Sequence, residues 1–404
     1  MTAAHPTGYR RGEPAYRRVT LALFAAGMTT FVAMYAVQAV LPQLATELRQ
    51  TPAGATLAVS ATTGMLALAV VPASVLSERF GRIPVMAASA VASVVIGLLV
   101  PLAPSMGVLV AGRALQGIAL AGVPATAMAY LAEEVDGSDL GAAMGRYIAG
   151  TTVGGLVGRV LASVAVDVTT WRWALEAAAG LALVFTVAFL RTAPPSRRFH
   201  SKRSGARDTV RHLAGHLRDP VLVMLYATAF LLMGCFVGVY NLLGFRLLAA
   251  PFGLSSALVG LVFLMYLSGT FSAAVAGRLA DRFGRRRVLW ACELVCLAGL
   301  VATVAEQLAV VLVGMLAFTA GFFGVHSVAS GWVSARATDH RGEASSLYVL
   351  FYYLGSSVLG ALAGLAYAAA GWRGIVAYGG GLVLVALAWA LVARGGRRIQ
   401  WGRD

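Results

Sequence analysis

Two arginines, one histidine and two glutamates carry most of the chemistry this sequence can offer. Arg113 and Arg159 each sit inside a long apolar run. An arginine there costs about 2.5 kcal/mol or more unless it faces a partner or a wet cavity, or bends its long side chain back to the interface. For Arg113 the motif around it favours a functional role, described below; Arg159 fits either reading. His326 lies in another apolar run, and an imidazole titrates near neutral pH. It reads as a proton carrier or as a packing histidine. Within the runs the carboxylates are Glu176 and Glu293. No P-loop, nucleophile cluster or metal-ligand spacing accompanies them, which points away from ATP-driven work and from enzyme chemistry, and implies no cofactor and no metal. Cys235, Cys292 and Cys296 all fall in apolar runs without a CxxC spacing and read as packing residues.

These residues need elements that can hold them in lipid. The chain has 404 residues, 59% of them hydrophobic and 12% charged, against about 25% charged in soluble domains. Apolar runs fall at roughly 19–41, 53–76, 84–103, 105–131, 144–166, 172–190, 220–248, 255–279, 288–304, 307–333, 343–370 and 373–393. Runs of this length must be helices, because each backbone N–H and C=O in hydrocarbon needs an internal partner. The expected fold is an all-α membrane protein of twelve transmembrane helices.

Charge sets the orientation. The formal net charge is +15, but the basic residues sit in the short gaps between runs and not on one face, which argues against nucleic acid as a partner. With the N-terminus inside, 26 Lys and Arg fall on the inner side and four, Arg49, Arg172, Arg246 and Arg373, on the outer. Both termini are therefore expected in the cytoplasm. Expected domains are a tail at 1–18, a six-helix bundle at 19–191, a cytoplasmic linker at 192–219, a second bundle at 220–394 and a tail at 395–404. The acids Glu133, Glu134, Asp136 and Asp139 read first as a solvated loop, with docking against the basic loops as the alternative.

The two halves repeat. LSERFGRI (Leu76 to Ile83) after run 2 matches LADRFGRR (Leu279 to Arg286) after run 8, an offset of 203. Trp171-Arg172 matches Trp372-Arg373, and Gly141, Tyr147 and Gly154 match Gly342, Tyr348 and Gly355, all at an offset of 201. Two pseudo-symmetric six-helix bundles follow.

GRLADRFGRRR (Gly277 to Arg287) and its first-half copy resemble the signature loop of the major facilitator superfamily. GRALQG (Gly112 to Gly117) resembles that superfamily's arginine motif. GTTVGGLVGR (Gly150 to Arg159) resembles the glycine-rich motif of its twelve-helix proton-coupled efflux antiporters, with Gly155 where that motif has proline. The stretch Tyr240 to Ser255 is similar to the arabinose-efflux-type bacterial permeases. The resemblance implies the major facilitator fold, in which helices 1, 4, 7 and 10 line a central cavity. It implies as cavity candidates Tyr35, Gln38, Arg113, Gln116, Tyr240, Asn241, His326 and Ser330, and as proton-coupling candidates Arg113, Arg159 and His326. Glu78, Arg79, Gly81, Arg82, Gly277, Asp281, Arg282, Gly284 and Arg285 form the implied cytoplasmic gate loops, where the acids latch onto arginines and helix termini and the glycines make the turn.

Glu176 and Glu293 fall on helices 6 and 9, which the resemblance places at the periphery. A cavity with arginines and no carboxylate suits a neutral or anionic solute. The expected protein is a secondary transporter of the bacterial inner membrane, monomeric and proton-coupled, exporting such a solute by alternating access. An importer or uniporter of a sugar or organic acid is the alternative, and a non-transporting receptor of the same fold a more distant one.

Overall fold

A computed structural model describes residues 8–199, 206–337 and 341–392, without side chains at 206–210 and 390–392. The tail expected at 395–404, residues 1–7 and residues 200–205 of the expected linker lie outside these segments. Helix dominates, and among the described residues the only β-pairing is an isolated bridge between Tyr9 and Val135.

Six spans make up the first half: Pro14–Glu47, Pro52–Phe80, Arg82–Leu102, Met106–Glu134, Leu140–Val168 and Trp171–Thr192. A short linker helix, Ala206–His216, precedes Pro220–Leu248 and Ser256–Phe283, spans 7 and 8. Span 9, Arg285–Ala302, opens on three arginines, so its ends are more charged than those of the others. Span 10 is Leu308–Arg336. The helix Arg341–Val392 leaves helical geometry at Ala370 and Gly371, and spans 11 and 12 lie on either side. Twelve spans result among the described residues.

Local sequence explains the boundaries. Thr51 caps span 2 by accepting from the Gly54 N–H at 3.1 Å, with Pro52 at the first helical position. Asp219 does the same for Pro220 and span 7, accepting from Val221 N–H at 2.8 Å. A side-chain oxygen followed by proline satisfies the exposed N–H groups where no helical partner exists. Spans 2 and 8 end at Gly81 (φ 96°) and Gly284 (φ 90°), in the left-handed region that a side chain disfavours. The chain thus reverses in one residue between spans 2 and 3, and again between spans 8 and 9. Span 1 begins at Pro14, inside the segment expected to be tail. Tyr9, just before it, exchanges backbone hydrogen bonds with Glu134 and Asp136.

By internal packing the chain divides into two units, Met1–Arg203 with Leu254–Phe263, and Ser204–Gly253 with Leu264–Asp404. In the first, span 5 packs closely on span 1. A Cβ at Gly154 would sit 2.8 Å from Met28 Cα, and one at Gly158 2.9 Å from Val32 Cα. In the second, span 11 meets span 7 in the same way, where a Cβ at Gly355 would lie 2.7 Å from Phe230 Cα. Such backbone contact replaces the hydrophobic driving force that lipid removes between helices. Gly342, which shares the repeat with Gly355, has open space instead.

Gly355→Val is expected to lower the thermal stability of the purified protein by about 1–3 kcal/mol or more, the cost of overpacking. Gly342→Val, read by the same melting assay, is expected to change little.

Candidate functional site

The first unit is organised around a break in span 1. Regular α-helix runs from Pro14 to Tyr35, gives way to a 3-10 stretch at Ala36–Val40, and resumes at Leu41. Arg113, on span 4 and 3% exposed, reaches the start of this break. Its Nη1 donates to Ala33 O at 2.8 Å and its Nη2 to Met34 O at 2.6 Å. Its Nε donates to Ala58 O on span 2 at 3.0 Å. In a regular helix the carbonyls of Ala33 and Met34 would accept from residues 37 and 38. Here a guanidinium takes them, where the helical ladder changes pitch. Gln116, one turn on, accepts from Arg113 Nη1 at 2.5 Å and donates to Ser93 O on span 3 at 3.0 Å. Thr62 on span 2 donates to Arg113 O at 3.0 Å. One Arg–Gln pair therefore joins spans 1, 2, 3 and 4. The free space beside it is about 20 Å³, room for one water.

Arg159, 2% exposed on span 5, holds the middle of the same break. Its Nε donates to Gln38 Oε1 at 2.6 Å and its Nη1 to Gly155 O at 2.7 Å. Its guanidinium lies 4.2 Å from the centre of the Tyr35 ring and 5.2 Å from that of Phe263. Tyr35, Gln38 and Arg159 thus form one cluster. Neither arginine reaches for the interface. Both are held by acceptors inside the unit.

The second unit is built differently. Its centre is aromatic: Phe236 stacks on Phe322 with ring centres 3.9 Å apart and touches Tyr240 at 4.8 Å and Tyr266 at 5.4 Å. Tyr240 hydroxyl shares a 2.6 Å hydrogen bond with Thr319, tying span 7 to span 10. Asn241 is buried beside it in sequence, 1% exposed. His326 Nδ1 lies 3.0 Å from the Tyr348 hydroxyl, and its ring is flanked by Tyr352 at 4.8 Å. Ser330 spends its hydroxyl on its own helix, donating to His326 O at 2.7 Å. Such back-bonding satisfies a serine in a helix and leaves it less to offer a solute. Among the expected carboxylates, Glu293 is fully buried on span 9 and Glu176 half-buried on span 6.

At the repeated loops, Arg82 makes a close contact. Its guanidinium pairs with Glu133 at 2.8 Å and donates to Ser77 Oγ at 2.6 Å. Glu78 is half-buried, Arg79 is exposed with its guanidinium over Phe80, and Asp281 is exposed. Arg282 stacks on Phe283, Arg285 opens span 9, and a Cβ at Gly277 would meet open space. The acidic stretch after span 4 is not the solvated loop first expected. Glu134 is 1% exposed and accepts from the backbone N–H groups of Arg197 and Arg198 at 2.7 and 2.9 Å. Asp139 accepts from Arg11 N–H at 2.8 Å, and Asp136 lies 3.5 Å from Arg10. Hydrogen bonds from Ser138 hold the Asp136 carboxyl below the usual range. The acids are spent pinning the N-terminal segment, the turn after span 2 and the segment after span 6.

Sequence comparison agrees with this architecture. The family profile described as Major Facilitator Superfamily matches residues 23–250 and 242–400. The chain belongs to the major facilitator superfamily. Over 378 residues it is 41% identical to the inner membrane transport protein YnfM of Escherichia coli, covering 94% of this chain and 91% of that one. It is 39% identical over 381 residues to YybF of Bacillus subtilis, an uncharacterized MFS-type transporter, with 94% of each chain covered. In fold it is similar to a bacterial homologue of the human lysosomal transporter Spinster in its inward-facing, unoccupied form, with TM-score 0.78, 14% identity, and 95% and 98% of the two chains covered. The protein is a multi-pass membrane transporter of the superfamily type.

Within this superfamily member the structure brings together Tyr35, Gln38 and Arg159, and Arg113 with Gln116. It ties Tyr240 to Thr319 and His326 to Tyr348. Sequence reading missed the partners. Thr62, Ser93 and Thr319 carry no motif signal. Tyr348 was visible as a repeat position; Tyr352, one turn on and also against the His326 ring, was not singled out.

Lysine carries its charge on one nitrogen and cannot span the carbonyls of Ala33, Met34 and Ala58. Arg113→Lys is therefore expected to destabilise the protein by on the order of 2 kcal/mol, seen as a lower melting temperature in detergent.

Proposed function

We propose that the chain is a proton-coupled exporter of a small neutral or anionic solute, working as a monomer by alternating access in a bacterial inner membrane with both termini in the cytoplasm. The observation that carries this reading is the charge of the polar groups held inside the two units. Spans 1, 4 and 5 present Arg113, Arg159, Gln38 and Gln116, and spans 7 and 10 present Tyr240, Asn241, Thr319 and His326. No carboxylate stands among them. Glu293 and Glu176 are on spans 9 and 6.

A cation moved through such an interior would meet two fixed positive charges and no counter-charge, which costs several kcal/mol at low dielectric. An anion or a hydroxylated neutral solute meets donors instead. The amide, hydroxyl and guanidinium groups are few and held by second partners, as a specific solute site requires. His326 supplies the one imidazole among these groups. Its contact with Tyr348 links spans 10 and 11, so proton exchange at the ring would be felt by both helices. The excess of arginine on the side of the signature loops supports the orientation.

The test is flux in proteoliposomes with an imposed pH gradient, using sugars, organic acids and cationic dyes. The expected result is gradient-driven movement of a neutral or anionic compound. His326→Ala is expected to abolish uphill movement driven by the pH gradient while leaving downhill exchange. Preferred movement of a cationic dye, or full coupling in His326→Ala, would contradict the reading.

A further inference from the structure

Four arginines lie on the cation-poor side of the chain, and two of them meet in one cavity. It has a volume of about 270 Å³ and belongs to the second unit, at the end of the spans opposite Gly284. Arg246 near the end of span 7, Phe252 in the turn after it, Glu306 before span 10, Tyr367 late in span 11, and Trp372 and Arg373 past the kink all line it.

Arg246 is set rigidly. Its Nη2 donates to Ala305 O at 2.7 Å. Its guanidinium lies 4.8 Å from the Trp372 ring centre and 5.4 Å from that of Phe252. Trp372 is itself fixed by donating from Nε1 to Thr303 Oγ1 at 2.9 Å. The other terminal nitrogen, Nη1, is shielded from water and has no acceptor. A shielded, unanswered guanidinium N–H is costly unless an acceptor arrives.

The first half handles its matching arginine otherwise. Arg172 stacks on Trp171 at 4.2 Å, as Arg246 does on Trp372, but Glu47 neutralises it directly. In the second half Arg373 has no such ion pair among the described residues. Two arginines against Glu306 leave the cavity with one net positive charge.

We propose that this cavity binds a small monoanion with a flat apolar body, of the aromatic carboxylate class. The carboxylate faces the Arg246 guanidinium, whose Nη1 still lacks an acceptor, Arg373 faces the remaining charge, and the ring lies along Tyr367 and Trp372. A single net charge favours a monoanion over a dianion, and the aromatic walls favour a ring over a bare ion. The site is separate from Tyr240, Asn241 and His326, and it does not rest on the transport reading, because binding is read at equilibrium.

The test is calorimetric titration of the purified full-length protein with benzoate, with acetate and benzylamine as controls. Benzoate is expected to bind saturably at one site, acetate more weakly, and benzylamine not at all. Arg246→Gln is expected to weaken benzoate roughly tenfold or more, the loss of a charge-assisted bond. Because Arg246 also packs against rings, two exposed positions keep the test independent of folding. Arg373→Gln is expected to weaken binding about threefold, and Glu306→Gln to tighten it about twofold. Absent saturable binding, equal binding of benzylamine, or affinity unmoved by both surface variants would overturn the proposal. So would binding lost in Asn241→Ala but kept in Arg373→Gln, which would move the anion to the central residues.

Discussion

A guanidinium enclosed in a lipid-covered helix bundle must be given acceptors, and in this chain a broken helix supplies them. Span 1 leaves its α-helical ladder at Ala36–Val40, and the carbonyls of Ala33 and Met34 just before that stretch accept from Arg113. Each feature makes the other tolerable. A pitch change frees acceptors, and a charged donor with planar, spread N–H groups fills them at the cost of its own desolvation.

The rest of the first unit follows from that exchange. Gln116 carries the contact to span 3, Thr62 ties span 2 to span 4, and Arg159 holds Gln38 within the break itself. Close glycine packing of span 5 on span 1 then brings Arg159 near enough to act. The second unit repeats the glycine contact between its spans 7 and 11 but fills its centre with aromatic rings around Phe236 and His326. The halves share a backbone plan and differ in chemistry. One is rigid and cationic; the other offers hydroxyl, amide and imidazole groups among rings.

Much of the architecture was legible in the sequence, because lipid imposes a simple rule on helix length and composition. The twelve runs, the repeat and the turning glycines could all be read there, and the family comparison agrees with them. What could not be read were partners. The motif around Arg113 set it apart from Arg159, but only the structure separates a clasp on carbonyls from a contact with Gln38. Ser330 looked like a solute ligand and bonds to its own helix. Glu133 and Glu134 looked like solvated loop acids and are bound by Arg82 and by backbone N–H groups after span 6. Sequence spacing fixes which face of a helix a residue occupies, but not whether its partner lies one turn away, as for Ser330, or on a distant segment, as for Arg113, Arg159, Glu133 and Glu134.

The dependence of the span 1 break on Arg113 can be measured directly by hydrogen–deuterium exchange, followed by mass spectrometry, on the intact protein and on Arg113→Gln. The account expects faster exchange in Arg113→Gln concentrated in the peptide covering residues 33–40, with span 6 and span 12 peptides unchanged. Equal protection of residues 33–40 in the two proteins would mean that the break stands without its guanidinium, and would contradict the account.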